Sequence, residues 1–206
     1  MGWKSLLVIG WLLITGAAHA APVILIYGDS LSAGYGLAAH QAWPDLLQQR
    51  LAAKNWQVVN ASISGETTAG GLTRLPGTLA QHHPKIVILA LGANDGLRGL
   101  SIAAMYDNLN NMMQQIRKTG AVILLVGIRL PPNYGIAYTE KFQQVYARLA
   151  RQHHVAYLPS LLANVENKRD LFQADGLHPI ATAETLVLDT VWEGLLPLLK
   201  NGKHKN

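Results

Sequence analysis

Short apolar runs rich in β-branched residues recur along the chain, separated by longer stretches with a different spacing. Each run has the length and composition of a buried β-strand. Runs that are apolar throughout are typical of a sheet covered by helices on both faces. The sequence therefore predicts five strands, at Val23 to Tyr27, Gln57 to Asn60, Ile86 to Leu91, Val122 to Val126 and Val155 to Leu158.

Between the strands, apolar residues recur every three or four positions, which predicts amphipathic helices. Pro179 is expected to open the last helix, because proline is favoured in a first helical turn. Strands alternating with helices predict right-handed crossovers and a parallel sheet, hence an α/β fold built as a three-layer α/β/α sandwich. The clearest helical sets are Trp43, Leu46, Leu47 and Leu51; Met105, Leu109, Met112, Met113 and Ile116; Phe142, Val145, Tyr146 and Leu149; and Ala183, Val187, Val191, Leu195 and Leu199.

The first twenty residues have the layout of a secretory signal. Lys4 precedes an apolar run from Ser5 to Ile14, and Ala18-His19-Ala20 fits the small-x-small cleavage pattern. The run is shorter than the roughly 18 residues that span a bilayer, so cleavage is favoured over a retained anchor. We expect a cleavable signal peptide at 1–20, a single domain at 21–206, no stable membrane insertion after cleavage, and a periplasmic or secreted bacterial protein.

Composition excludes several classes of function. The chain has no cysteine, which rules out disulfides, a thiolate nucleophile and a thiolate metal site. Its formal net charge is +5, yet the basic residues are scattered apart from a tail at Lys200, Lys203 and Lys205. No nucleic-acid-reading motif accompanies them, so we expect no nucleic-acid partner.

Two histidine pairs, His82-His83 and His153-His154, raise the alternative of a metal hydrolase. Adjacent residues on a helix point about 100° apart, and no H-E-x-x-H motif or carboxylate cluster accompanies either pair. We therefore expect no catalytic metal.

A candidate catalytic set follows the predicted strands. Ser30 comes directly after the first strand, where α/β folds bind ligands, and Asp175 and His178 share the loop before the last helix. A serine hydroxyl becomes a good nucleophile when an imidazole takes its proton, and that imidazole needs a carboxylate to orient it. Taken alone, each block is also typical of an ordinary turn or helix cap.

Two further loops offer hydrogen-bond donors for a developing oxyanion. Gly65 follows the second strand, where its amide can approach a ligand without a side chain in the way. Asn94 follows the third strand and carries a carboxamide that can donate. Because all these blocks fall at the carboxyl ends of successive strands, a shared active site is favoured over coincidence.

At these blocks the sequence resembles the SGNH, or GDSL-type, hydrolases. The matching positions span nearly all of residues 21–206, and the segments 24–36, 92–100 and 128–135 look like the periplasmic acyl-CoA thioesterase, arylesterase and lysophospholipase subgroup. The resemblance implies a flavodoxin-like strand order 2-1-3-4-5. It also implies Ser30 as nucleophile, His178 as base, Asp175 as its partner, and Ser30, Gly65 and Asn94 as the oxyanion hole. No metal or cofactor is implied, and Ala93 departs from the family, where a second glycine is common.

The resemblance implies a serine esterase or thioesterase that cleaves small-molecule or lipid acyl esters and thioesters through an acyl-enzyme, and we expect a monomer. Candidate residues for the groove that binds its acyl chain are Leu97, Leu100, Pro131 and Tyr134, all of which also suit simple loop packing. One alternative is carbohydrate or other small-ester deacetylation on the same site. Another is a flavodoxin-like binding or receiver protein. A receiver needs an Asp at the end of the third strand and a Lys directly after the fifth. The sequence has Leu91-Gly92 and Leu158-Pro159 at these positions.

Overall fold

The computed structural model describes residues 20–201, which form a three-layer α/β/α sandwich. Its sheet has five parallel strands in the order β2-β1-β3-β4-β5, as the resemblance implied. The strands are β1 Val23–Gly28, β2 Gln57–Asn60, β3 Ile86–Ala90, β4 Val122–Val126 and β5 Ala156–Leu158. They agree with the predicted strands to within one residue at each end.

Seven α-helices connect the strands within the described residues. Helices α2 and α7 pack together, and α3, α5 and α6 pack in a row against one another. Four single turns of 3-10 helix lie at Ala52–Lys54, Pro132–Tyr134, Arg169–Leu171 and Ala181–Ala183. The α-helices are α1 Ser30–Ala33, α2 Trp43–Leu51, α3 Thr68–His82, α4 Ala93–Leu97, α5 Ile102–Lys118, α6 Ile136–His153 and α7 Glu184–Asn201.

The core lies on both sides of the central strands. Every residue of β3 is buried, and so are Ile24 to Tyr27 of β1. The edge strand β2 is only half-covered, because it has one neighbour in the sheet. The apolar faces predicted for α2, α5, α6 and α7 all point into this core.

One prediction about the helices is wrong. Pro179 does not open the last helix, because α7 begins at Glu184 after a 3-10 turn. Pro179 instead pairs with Phe172 in an isolated antiparallel bridge, and its carbonyl accepts a hydrogen bond from Gln173 Nε2. The proline therefore belongs to the loop that carries Asp175 and His178.

Most of the predicted signal segment, residues 1–19, lies outside the described residues, as do Lys203 and Lys205 of the basic tail. From residue 20 to residue 201, no helix combines the length and the hydropathy that crossing a membrane requires.

Candidate active site

The position of Ser30 is set by the turn that leaves β1. Asp29 is the N-cap of α1 and its Oδ1 accepts a hydrogen bond from the Leu31 amide at 3.1 Å. Burial raises the pKa of Asp29 to about 7, against the opposing effect of that amide. Gly34, with φ of +77°, ends the helix after one turn. The serine thus stands at the start of a short helix whose two ends are both held.

Ser30, His178 and Asp175 form one continuous hydrogen-bonded row. His178 Nε2 lies 2.8 Å from Ser30 Oγ, and His178 Nδ1 lies 2.7 Å from Asp175 Oδ2. The other carboxylate oxygen, Asp175 Oδ1, accepts from the amides of Leu177 and His178. The structure therefore brings together three side chains that the sequence separates by up to 148 positions.

The charge on Asp175 decides which imidazole nitrogen carries the proton. Burial raises the pKa of Asp175, but hydrogen bonds from the Leu177 amide and from His178 outweigh it and lower the pKa to about 2. An ionised carboxylate only accepts hydrogen bonds, so Nδ1 of His178 must donate to it. The neutral imidazole then presents the lone pair of Nε2 to the hydroxyl of Ser30.

Tyr35 and Gln173 hold the histidine loop, and the sequence alone did not single out either residue. The Tyr35 ring packs 4.6 Å from the His178 ring between centroids. The side-chain Nε2 of Gln173 donates to the carbonyls of Tyr35 and Pro179. The backbone amide of Gln173 donates to the His178 carbonyl. These contacts tie the loop after β5 to the loop after β1.

Several contacts join the Gly65 loop to the turn that carries Asn94. The Asn94 carboxamide donates to the Glu66 carbonyl at 3.0 Å. Asp95, which is buried, accepts from both the amide and the hydroxyl of Thr68. Gly65 has φ of +78°, a left-handed conformation that favours glycine. The two loops proposed as oxyanion donors are therefore held against each other.

Arg98 makes a further link that the sequence analysis did not find. Its Nη2 donates to the Gly65 carbonyl at 3.0 Å and lies 3.4 Å from Asn94 Oδ1. Arg98 follows Asn94 by four positions, so helical spacing was the one sequence signal that could have paired them. The guanidinium contacts both donor loops from their exposed side.

A groove of about 540 Å³ opens beside the row, and Ser30, Asn94 and His178 lie in its wall. Leu97 and Pro131, two of the four predicted acyl-chain residues, also line it. Leu100 is exposed and lies outside the lining. Tyr134 also lies outside it, and its hydroxyl donates to the Leu97 carbonyl. The remaining apolar walls come from Leu31, Ile128, Leu130, Leu162, Phe172 and Leu177.

The two histidine pairs lie away from this groove. In each pair the first histidine ends a helix, α3 or α6, and the second caps it in the left-handed conformation. Across residues 20–201 there is no group of three or more histidine and acidic side chains arranged to hold a metal ion.

A parallel α/β/α sandwich with a serine, a histidine and an aspartate aligned at the carboxyl edge of its sheet has the design of a serine hydrolase. The chain belongs to the GDSL-like lipase/acylhydrolase family, whose profile matches residues 26–184.

Two relatives are similar over most of their length. Esterase TesA of Pseudomonas aeruginosa is 49% identical over 87% of this chain and 90% of its own. The thioesterase 1/protease 1/lysophospholipase L1 of Escherichia coli K12 is 43% identical over 92% of this chain and 90% of its own. Among solved structures, the esterase EstA from Pseudoalteromonas sp., inhibited by monoethylphosphonate, aligns with a TM-score of 0.82. It is 37% identical and covers 86% of this chain and 98% of that one.

Proposed function

We propose that Ser30 is the nucleophile, His178 the general base and Asp175 the residue that orients the histidine. The observation that carries this proposal is the pair of distances, 2.8 Å from Ser30 Oγ to His178 Nε2 and 2.7 Å from His178 Nδ1 to Asp175. The first distance is within reach for proton transfer from the serine to the histidine, and the second is a hydrogen bond that orients the imidazole.

The reaction then proceeds through an acyl-enzyme. Ser30 Oγ attacks the carbonyl carbon of the ester while His178 Nε2 takes the hydroxyl proton. The tetrahedral intermediate collapses, and the leaving alkoxide or thiolate takes the proton from His178. Water then attacks the acyl group while His178 takes one of its protons, and His178 returns that proton to Ser30 Oγ as the acid is released.

The amides of Ser30 and Gly65 and the carboxamide of Asn94 are proposed to stabilise the oxyanion of each tetrahedral intermediate. Three features support this role: Ser30 begins a helix, Gly65 adopts a conformation that favours glycine, and Asn94 lines the groove beside Ser30. Donors that are already held in place need no reorganisation when the negative charge develops.

Acyl esters and thioesters with an apolar acyl group are the proposed substrates, including aryl esters, acyl-CoA and lysophospholipids. Support comes from the apolar walls of the groove, with Leu97 and Pro131 proposed to contact the acyl chain. The names of the two relatives, an esterase and a thioesterase/protease/lysophospholipase, agree with this substrate class.

A covalent probe tests the assignment of Ser30 directly. A fluorescent alkyl fluorophosphonate should label the wild-type protein at one site, and Ser30→Ala should abolish both labelling and p-nitrophenyl ester hydrolysis. Ser32→Ala is the matched control, because Ser32 lies on the same short helix but its hydroxyl is buried. If Ser30→Ala retains turnover, or if the label maps to another residue, the proposal fails.

We also propose that residues 1–20 are a cleavable signal and that the protein acts in the periplasm or outside the cell. The support is the order of Lys4, the apolar run and the small residues Ala18 and Ala20. Mass spectrometry of the exported protein should find Ala21 at the N-terminus, and retention of Met1 would refute cleavage.

A further inference from the structure

Exposed apolar side chains are concentrated at one edge of the sheet. Six large hydrophobic residues within residues 20–201 are clearly exposed, and five of them lie on connections that follow the carboxyl ends of strands. The exception is Val122, at the start of β4 and thus at the opposite edge. The five, which we call the apolar rim, are Tyr35, Ile63, Leu100, Ile136 and Leu177.

Each rim residue follows a different strand, so the rim lies at the same edge of the sheet as Ser30. Tyr35 comes after β1, Ile63 after β2, Leu100 after β3, Ile136 after β4 and Leu177 after β5. Exposed apolar residues scattered over a surface need no explanation, whereas a set concentrated at one edge of the fold marks an interaction surface.

Contacts between the loops hold the rim together. Tyr35 packs on His178, next to Leu177 in the chain. Arg98, two residues before Leu100, donates to the carbonyl of Gly65 in the loop of Ile63.

The start of α6, which carries Ile136, is hydrogen-bonded to helix α4, the turn that follows β3. Tyr134 and Tyr138 donate to the carbonyls of Leu97 and Gly96. The rim residues therefore lie on loops that packing and hydrogen bonds fix to one another.

Cations are interspersed among the rim residues. Arg98, Lys168 and Arg169 are exposed at this edge, and none of them makes an ion pair within the described part of the chain. The acidic residues nearby are mostly engaged, since Glu166 pairs with Arg129 and Asp175 pairs with His178. Asp170 and Glu140, which lies one helical turn after Ile136 on α6, are exposed carboxylates that make no ion pair within the described residues.

We propose that this edge docks on an anionic lipid surface, with the apolar rim inserted at the level of the head groups. Apolar side chains flanked by arginine and lysine are the composition that binds such interfaces. A second copy of the chain fits less well, because it would bring the same three cations, on a chain of net positive charge, against this face.

Docking in this orientation would place the groove against the lipid. Leu177 belongs to the rim and also lines the groove beside Ser30, so the groove opens within the docked surface. An acyl chain could then pass from the lipid to the groove with little exposure to water. This use of the surface rests on the proposed ester hydrolysis, whereas docking itself requires no catalysis.

The test uses the mature protein, residues 21–206, carrying Ser30→Ala, so that the lipids of the vesicles are not hydrolysed. Sedimentation with phosphatidylcholine vesicles, with and without phosphatidylglycerol, should show binding that needs the anionic lipid and weakens as salt is raised. On this background Ile136→Ser should lower the partition coefficient roughly tenfold, since it removes one inserted apolar side chain. Arg169→Gln should lower it about fivefold.

Val122→Ser is the matched control, because Val122 is 48% exposed but lies at the far edge, and it should bind like the parent. With Ser30 intact, Ile136→Ser should hydrolyse a soluble short-chain aryl ester at the wild-type rate, which separates docking from catalysis. The proposal is overturned by absence of binding, by equal loss in the Val122 variant, or by self-association that Ile136→Ser abolishes.

Discussion

At the scale of single residues, Arg98 and the Glu66 carbonyl both contact the Asn94 carboxamide and favour the same orientation. A guanidinium only donates hydrogen bonds, so the atom of Asn94 that faces it must be the oxygen. The nitrogen then points the other way, where one of its hydrogens is donated to the Glu66 carbonyl. The second hydrogen remains available to an oxyanion, so we regard Arg98 as a positioning residue for Asn94.

Replacing Arg98 should therefore impair turnover more than substrate binding. We expect Arg98→Met to lower kcat roughly tenfold with little change in KM, and Asn94→Ala to lower it about a hundredfold. The double variant should lose less than the product of the two, because both changes act on the same donor. Steady-state kinetics on a soluble p-nitrophenyl ester measure all three.

Arg148→Met serves as the control, since Arg148 stacks on Tyr106 away from the groove. A loss in that variant equal to the loss in Arg98→Met would indicate a general effect of removing an arginine. Strict additivity of Arg98→Met and Asn94→Ala would show that Arg98 does not act through Asn94.

At the scale of elements, helix α3 shows how packing overrides local preference. It contains Pro76 and three glycines, Gly70, Gly71 and Gly77, which disfavour a helix in isolation. Close packing favours glycine at position 71, because a Cβ there would lie 2.5 Å from Leu91 Cδ1 and would clash with it. The Tyr27 hydroxyl of β1 donates to the Gly71 carbonyl at 2.7 Å. The helix thus lies close against the sheet at its glycine positions.

Substitution by alanine should change the stability of the fold in opposite directions at two glycines of this helix. Gly71→Ala should destabilise the fold by about 1–3 kcal/mol, because the added methyl group overpacks the helix–sheet contact. Gly77 has open space around its Cβ position, so Gly77→Ala should stabilise by about 0.5–1 kcal/mol through reduced chain entropy. Urea denaturation of both variants measures the difference, and the same sign of change for both would contradict the packing argument.

Helix α2 is capped by a side chain from a distant helix. Its own N-cap residue, Ala42, makes no side-chain hydrogen bond, and Glu184 at the start of α7 accepts from the Trp43 amide at 2.7 Å. Burial raises the pKa of Glu184 from 4.5 to about 7, against the opposing effect of the Trp43 amide. This carboxyl therefore joins two helices while being partly protonated near neutral pH.

Glu184 should make the protein less stable as the pH rises from about 4.5 to about 7. In that window the folded form keeps a proton that the unfolded chain releases, so the free energy of unfolding falls with pH. Glu184→Gln keeps an acceptor for the Trp43 amide and carries no charge. We expect it to raise Tm at pH 8 by roughly 5 °C and to change it little at pH 4.5. Equal shifts in thermal unfolding at both pH values would assign the effect to something other than ionisation.

At the scale of the whole molecule, the groove is a product of the sheet. Its lining residues come from the loops after β1, β3, β4 and β5, which meet because parallel strands end at one edge. Leu97 lies in the lining and Leu100 lies outside it, although only three positions separate them. Their different surroundings provide a matched pair for testing acyl-chain recognition.

Leu97→Ala should shift the preference among p-nitrophenyl esters toward longer acyl chains, because it widens an apolar wall. Removal of the contacts that the leucine side chain makes should change relative kcat/KM values by about tenfold. Leu100→Ala should leave the acyl-length profile as it is. An unchanged profile in Leu97→Ala, or the same shift in both variants, would remove Leu97 from acyl-chain recognition.

Much of the fold was predictable because its signals are local. Strand boundaries follow from apolar runs of a few residues, and four helices follow from apolar spacing within one or two turns. The short helices α1 and α4 and the proline-containing α3 were not predicted, since their sequences resemble turns. The order of the sheet came from family resemblance, because periodicity does not say which strands are neighbours.

The sequence alone determined which residue types stand at the ends of the strands, and therefore which groups were available for the site. Only the tertiary structure decided their distances, such as the 2.8 Å between Ser30 and His178 across 148 positions. It also decided that Arg98 lies against the Gly65 loop and that five exposed apolar side chains share one edge of the sheet. The physical reason is that side-chain patterns depend on near neighbours in the chain, whereas contacts across the molecule depend on how the sheet brings distant loops together.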